Sequence, residues 1–587
     1  MKLLLLVIAV FLVKNVLFAQ DSDILLNHDL YHYIDRLDIR GYTNQTVHTD
    51  IKPYGRKYVS QVFEAVDSTQ MDLQELRWHR QMRKLGDDDF TDKQKEGYLK
   101  FKDYYPNKIN TFLYANRRDF YAYTSQNFRI YINPAMQFMA GAELYNGDTA
   151  RLQMLSVNSR GIQVRGSFMN KIGFFTEVYD NVLRLPSYQF RTIDPDGKYT
   201  AGERLVFPGE TYVKRFARHG NSLDFFSARA YVTYSPFKAM RLKFGYDRSL
   251  WGNGIQSMML SDHSANALAL DINTRIWKLE YQNRFAQLID YFPNKSDVEG
   301  TYPRKYAVFH QLSYKPTKNL SIGVFESIIY NPYQPNGKRG FELQYLNPII
   351  FFRAAEQALG SPDNGLIGFT GKYNCFQHFQ FYGQFLIDDF KFSAFKKGVL
   401  DTHKLPGYRQ DKTAYQVGIK YIDVLNVPTL DMQIEFNNVR PYTYQHFNAT
   451  TNYSQYGQSL GYGFGGNARN LEINVNYHPF PRWNFQGSAL RGQKGNDLND
   501  KNTGGNINSV YSESLPKSPI NDLYYGYYVG FGDKINITQL YGRISYQLFD
   551  TDIYAEIEGR YRQENAYKSL SVWGGLRMNL PQRAMRY

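Results

Sequence analysis

Apolar and polar residues alternate in short stretches over most of this 587-residue chain. In the stretch 553–562, Ile553, Ala555, Ile557, Gly559 and Tyr561 fall on one face, and Tyr554, Glu556, Glu558, Arg560 and Arg562 on the other. A strand repeats every two residues, so this segment reads as a strand with one apolar and one charged face. Met240, Leu242, Phe244 and Tyr246 oppose Arg241, Lys243, Gly245 and Asp247 in the same way. Leu471, Ile473, Val475 and Tyr477 oppose Glu472, Asn474, Asn476 and His478. Eighteen such stretches are read between residues 129 and 580. An apolar face backed by a charged one suits a transmembrane β-barrel, whose outside meets lipid and whose lumen is polar.

The connections sort themselves as well. Short turns are read at 169–171, 236–239, about 273, 315–318, 374–376, 423–430, 479–483 and 549–552. Between them come long connections at 181–223, 248–264, 286–305, 331–363, 389–412, 441–467 and 493–537. Outer-membrane barrels have short periplasmic turns and long outer loops. With both termini in the periplasm and an even strand count, every long connection lies outside, joined there by the short ones at 146–150 and 563–568. The expected fold is an all-β membrane protein, an eighteen-stranded antiparallel outer-membrane β-barrel over residues 111–587 with a small N-terminal helical region. A soluble β-sandwich also alternates within its strands, but it does not order its loops in this way.

Residues 20–110 break the two-residue period. Leu30, Tyr33, Ile34 and Leu37 have the spacing of one helix face, and Gly41 follows as a stop. Tyr58, Val62, Phe63 and Val66 come close to the same pattern, and the charged segments 72–85 and 92–103 are read as helical. The region is expected in the periplasm or plugging the barrel. Residues 1–19, with Lys2 and the apolar run Leu3–Val13, read as a signal peptide cleaved after Ala19. That run is too short to span a bilayer, and no longer apolar run follows. Cys375 is the sole cysteine, so a disulfide framework and a lipoprotein anchor are both excluded.

Composition fits this reading. Aromatic residues make up 16% of the chain, 50 of them tyrosines, as the interfacial girdles of a barrel demand. The net charge of +14 would suggest nucleic acid in a soluble protein. Here no zinc-finger spacing or stacking motif supports that partner, and the basicity is assigned to anionic headgroups or glycans.

Two outer loops carry the most distinctive text. One runs from Asp247 through Arg248, Trp251-Gly252-Asn253-Gly254 and Leu260-Ser261-Asp262. The other runs from Phe341 through Asn347-Pro348, the apolar run Ile349–Phe352, Arg353, Glu356-Gln357 and Asp363-Asn364. The apolar run is expected to fold back into the lumen, and the two loops to meet at the outer mouth in one pocket or plug. Sugars pack their C–H faces on aromatic rings and bond their hydroxyls to planar polar groups. The candidate ligand-binding residues are therefore Arg248, Trp251, Asp262, Arg353, Glu356, Gln357, Asp363 and Asn364; each serves equally well to hold a loop. No cofactor or metal is expected. His28 and His32 lie four apart without a third ligand. The oxygen-bearing run Asp497, Asn499, Asp500, Asn502 and Gly504 reads as a flexible loop, and Asp194-Pro195-Asp196-Gly197 as a turn. Asn133-Pro134-Ala135 lies in a strand, and no Ser–His pair of the barrel-phospholipase kind is recognisable.

On the Trp251–Gly254 and Leu260–Asp262 text and the Asn347–Asn364 block, the chain resembles the Wzi-like capsule-assembly family of outer-membrane barrels. It looks closest to the Bacteroidetes branch that includes the gliding-motility protein RemB. The resemblance runs from about residue 25 to the end. It implies an eighteen-stranded barrel preceded by helices, and surface lectins that hold capsular polysaccharide. The function expected is a non-enzymatic outer-membrane barrel that presents loops to surface polysaccharide or to gliding and adhesion proteins, with membrane lipid around it. The alternatives are a channel or transporter for small or hydrophobic substrates, favoured by an open lumen, and an outer-membrane hydrolase, favoured by a catalytic constellation in one cavity.

Overall fold

The computed structural model describes residues 22–88, 118–146, 150–169, 171–193, 204–215, 222–290, 302–334, 337–350, 363–389, 407–499, 501–511, 516, 518, 524–548 and 551–583. Eighteen long strands form the wall: β1 Phe128–Asn146, β2 Ala150–Phe168, β3 Ile172–Arg184, β4 Ser222–Phe237, β5 Met240–Asp247 and β6 Ala267–Ile276. They continue as β7 Leu279–Ile289, β8 Arg304–Tyr314, β9 Leu320–Tyr330, β10 Asn364–Cys375, β11 Phe379–Asp389 and β12 Lys412–Tyr421. The last six are β13 Leu430–Val439, β14 Ala468–Tyr477, β15 Trp483–Asn496, β16 Asp533–Gln547, β17 Ile553–Glu564 and β18 Tyr567–Met578. Each pairs antiparallel with its sequence neighbours, and β18 pairs with β1 to close the barrel. All the long connections leave from one rim, as the sequence predicts.

The alternation sets the two faces. Ile557 is 63% exposed on the outside of β17, and its flanking Glu556 and the further Arg560 and Arg562 are buried inside. Glu556 accepts hydrogen bonds from Arg543 at 2.9 Å and Arg577 at 2.8 Å on the neighbouring strands. A charge buried alone costs several kcal/mol, so the lumen pairs its charges across strands. One turn is corrected. Asn273 remains in β6 and donates to Glu280 at 3.2 Å and Gln282 at 3.0 Å on β7, so its polarity is that of a lumen residue. The chain reverses four residues later, at Trp277 (φ 55°) and Lys278.

Among the described residues three helices precede the wall: α1 Asp29–Arg40, α2 Arg56–Glu64 and α3 Leu73–Gly86. His28 caps α1 by accepting from the Leu30 amide, Gly41 ends it at φ 68°, and a reciprocal Asp72–Glu75 capping box starts α3. Leu30, Tyr33, Ile34 and Leu37 pack with Val59, Val62 and Phe63 of α2 and Trp78, Met82 and Leu85 of α3. Residues 92–103 lie outside the described residues.

This helical unit binds the short-turn rim. Arg36 donates to Asp431 and Asp423, each at 2.7 Å, and pairs with Glu75. Trp78 stacks on His478 at 4.3 Å, and Lys420 reaches Asp35 at 2.7 Å. Asp38 accepts from Lys315 at 3.2 Å and Lys372 at 2.8 Å. Burial alone would raise the Asp38 carboxyl; Lys372 and Lys315 outweigh it and hold the group well below the usual carboxylate range.

Candidate functional site: a polar cavity in the lumen

The outer connection between β5 and β6 enters the barrel. Its Leu250–Trp251 forms a two-residue antiparallel pair with Ile51–Lys52 of the N-terminal segment. Asn253 donates to Asp50 at 2.5 Å, and the Gly252 amide donates to the Asp50 carbonyl at 2.7 Å. The wall holds the same loop from the other side. Gln384 donates to the Trp251 carbonyl at 3.0 Å, and Glu435 accepts from the Ile255 amide at 2.6 Å. Gly252 has φ 135°, and a Cβ there would collide with the Gln384 side chain, so this position requires glycine. Trp251 is fully buried, with its ring edge-on to Phe309 at 6.2 Å and Phe325 at 6.0 Å. It offers no face to a sugar.

The connection between β9 and β10 takes the opposite side of the wall. Phe341 packs edge-on to Tyr306 at 5.2 Å and Tyr345 lies 4.9 Å from Tyr330, all on the outward face of β8 and β9. The Tyr281 hydroxyl donates to the Pro348 carbonyl. Tyr281 is level with Val324, so the segment descends the outside of β9 from Tyr330 to Val324, about 20 Å of strand. Beneath it a polar strip is buried on the outward face. His310 donates through Nδ1 to Asn283 at 2.6 Å, and Glu326 stands opposite His310. Leu343, 74% exposed, and Ile349, 63% exposed, point away from the wall. The expectation that Ile349–Phe352 folds into the lumen is therefore corrected for Ile349 and Ile350; Phe351 and Phe352 lie outside the described residues. Lipid removes apolar groups from water as well as a lumen does.

The other candidates divide accordingly. Asp363 binds Arg339 through both oxygens, at 2.8 and 2.9 Å, and accepts from the Tyr345 hydroxyl at 2.5 Å, which clasps the outer segment to β10. Asn364, one residue on, faces inward and donates to the Thr451 carbonyl at 2.9 Å. Arg353, Glu356 and Gln357 lie outside the described residues. The two loops do not build one pocket, because their described parts lie on opposite sides of the wall.

Arg248 and Asp262 do share a cavity. It adjoins a second, and Leu26, Asn27, Ile255, Gln582 and Arg583 border both; their volumes are about 100 and 240 Å³. The smaller lies beneath a helix, α4 (Ser187–Ile193), and residues 207–210, all from the outer connection between β3 and β4. Ser187 anchors α4 inside the barrel by donating to Glu143 at 2.8 Å. Arg248 donates to the carbonyls of Gly209 at 3.3 Å and Asp262 at 3.2 Å, and Asp262 accepts from Asn27 at 3.0 Å. Three further wall groups were not singled out from sequence. The Oε1 atoms of Gln137 and Gln189 and the Nη1 of Arg583 are buried without a hydrogen-bond partner among the described residues. A buried polar atom left unpaired costs about 1–3 kcal/mol, so the cavity suits an occupant with hydroxyls that both donate and accept. The strand period marks Gln137 as inward-facing, but nothing in the sequence shows it to be unpaired.

Catalytic and metal readings gain no geometry. His28 and His32 point to different carboxylates, Asp552 at 3.6 Å and Asp431 at 2.9 Å, and among the described residues no three metal-ligating side chains converge. Asp497 accepts from the Thr503 amide at 3.1 Å, closing its own loop. The outward His310–Asn283 pair resembles two-thirds of a catalytic triad. The cross-strand row that holds it contains Ile272, Glu326 and Ile367, with no serine.

No curated protein matches the chain by sequence. Among solved structures, the chain is similar to Wzi of Escherichia coli, described as an outer-membrane protein involved in group 1 capsule assembly and a carbohydrate-binding β-barrel. The identity is 14% and the TM-score 0.53, over 96% of this chain and 99% of that one. It is more distantly similar to Acinetobacter baumannii OccAB4, at 9% identity and TM-score 0.40, over 77% and 98% of the two chains. Pseudomonas aeruginosa OprD follows at 10% and 0.37, over 76% and 96%. The model of the family described as capsule assembly protein Wzi matches residues 117–542, which take in β1–β15, most of β16 and the whole luminal loop. With the strand count and the helices at the short-turn rim, that match identifies the chain as an outer-membrane β-barrel belonging to the Wzi capsule-assembly family.

Proposed function

We propose that the chain is a non-enzymatic, non-conducting barrel that holds surface polysaccharide at its outer side. The observation that carries this reading is the luminal cavity, roofed by an outer connection and lined by unpaired acceptors and donors. Sugar hydroxyls satisfy Gln137, Gln189 and Arg583 together, and the carbohydrate binding stated for the Escherichia coli protein supports the same ligand class. In this reading residues 1–19 are removed on export, and the helical unit closes the periplasmic mouth.

The test is retention of the host's capsular polysaccharide on immobilised protein. Gln189→Ala with Arg583→Ala should weaken retention on the order of tenfold, from two lost polar contacts. Parent-like retention by the folded double variant would refute the cavity as the site. Sustained open-pore conductance in planar bilayers would favour a transporter. The resemblance of the Trp251–Gly254 and Leu260–Asp262 text and of the Asn347–Asn364 block to the RemB branch supports a role in gliding or adhesion. That role becomes the better account if deletion abolishes colony spreading while polysaccharide retention is unchanged.

A further inference from the structure

A separate groove opens on the outward face, at the long-loop rim. Phe385, Tyr415, Asn438 and Arg469 stand side by side on β11–β14, directly opposite one another in register. Arg440 follows β13 and lines the same groove with Thr413, Asp411, Tyr527 and Tyr528, around a volume of about 560 Å³. Arg491 on β15 is the diagonal neighbour of Arg469. It lies on the outside and donates to Thr538 at 2.8 Å. Just below, Val417, Leu471 and Leu540 are exposed on the same face, which marks the edge of the apolar band. Gln493 and Asn536 continue the polar row at the Arg469 level.

This charge is under-compensated. Arg440 donates through Nη2 to the Tyr408 carbonyl at 2.8 Å, but its Nε is buried with no hydrogen-bond partner among the described residues. Burial lowers the Arg440 guanidinium against the pull of Asp411. Among the described residues, Asp411 is the one carboxylate that lines the groove with Arg440 and Arg469, and Arg491 stands diagonal to Arg469 at the level where lipid headgroups begin. Guanidinium forks bind phosphate in a planar, bidentate fashion, and tyrosines at the interface carry an apolar body with a wet tip.

We propose that Arg440, Arg469 and Arg491 form a binding site for the phosphate of a phosphorylated glycolipid in the outer leaflet. Its sugar rests on Tyr415 and Tyr528, and its acyl chains run down along Val417 and Leu471. The site is independent of the luminal cavity and takes the long-loop rim as the outer-leaflet side. Its energy comes from charge-assisted hydrogen bonds, so it depends on the phosphate and not on acyl-chain contact alone.

The experiment uses the full-length protein in phosphatidylcholine nanodiscs doped with diphosphorylated lipid A or with its dephosphorylated form. Bound lipid is counted by native mass spectrometry. The parent should retain the phosphorylated form, and Arg440→Gln/Arg469→Gln/Arg491→Gln should lower retention on the order of tenfold or more. Arg469→Gln alone should lose more than Lys171→Gln, which removes one charge from the exposed turn at the opposite rim. Equal retention of the two lipids by the parent, or equal retention by parent and triple variant, overturns the proposal. Heat-modifiable mobility confirms that the variants are folded, and the single-charge comparison stands if the triple variant does not fold.

Discussion

The luminal loop 248–266 and the outer segment 337–350 are two long connections on the same rim, each mixing apolar residues with arginine, asparagine and an acidic residue. They settle on opposite sides of one sheet. The luminal loop gives many of its backbone groups to partners on the wall, because the lumen is walled by Gln384, Gln416 and Glu435, which need partners themselves. The outer segment makes few backbone bonds to the wall and instead covers Tyr306, Ile328 and Tyr330 while showing leucines outward. What separates them is the face of the sheet each meets. A polar face recruits a loop through hydrogen bonds. An apolar one recruits it through area, and here it also hides His310 and Glu326 from lipid.

That contrast can be broken by mutation. Trp251→Ala empties a packed site in the lumen and should destabilise the protein by about 3–5 kcal/mol. Denaturant unfolding in detergent measures this, and a cost near zero would return Trp251 to the surface. Ile557→Arg on the bare outer wall should cost about 2–4 kcal/mol, with Glu558→Ala far less, in the same assay. Equal effects of those two would invalidate the assignment of faces.

Acid should loosen the helical unit against which the luminal loop pairs. Burial, aided by Arg83 and Arg80, brings the His79 imidazole down to about 4. It is neutral in the folded helical unit, where it is bonded to the Tyr33 hydroxyl at 2.8 Å. A depressed folded value means that the contribution is full above about pH 6.5 and is lost as pH falls toward 4. The loss at about pH 5 should be about 2 kcal/mol. Limited proteolysis should then release residues 22–88 at acid pH, less so in His79→Gln. The smallest expected effect is Leu343→Arg, about 1 kcal/mol, because the outer segment can tilt the charge toward the interface. A fluorophore on Leu343→Cys, with Cys375 replaced, should be quenched by nitroxide on lipid chains; a fluorophore quenched only by aqueous iodide would lift the segment off the wall.

Much of this was legible from period alone. Strands such as β17 need one face for lipid and one for a charged lumen, and the ordering of short and long connections separates this alternation from that of a sandwich. The α1 face was legible for the same reason at a different period. The outer segment was not, because Ile349 and Ile350 leave water equally well inward or outward, and the choice rests on Tyr306 and Tyr330, which lie on other strands. The turn at Trp277 was misplaced because Asn273 has turn chemistry and a lumen address. The pairing of Ile51–Lys52 with Leu250–Trp251 joins two residues to two others far along the chain, and no local signal announces it.

That short pairing has a consequence in time. The amino-terminal helices are made before the wall strands, yet Arg36 finds Asp431, and Asp35 finds Lys420, only after nearly four hundred further residues. Contacts of such separation form late, because the loop they close must be ordered first. Until β5 and β13 arrive, the helical unit carries an arginine and two aspartates without their wall partners, and Ile51 has no strand to lie against. Closure of β18 on β1 must therefore be coordinated with entry of the leading segment. A barrel sealed empty would have to admit three helices through its short-turn mouth, whereas one that rolls up around them never meets that obstacle.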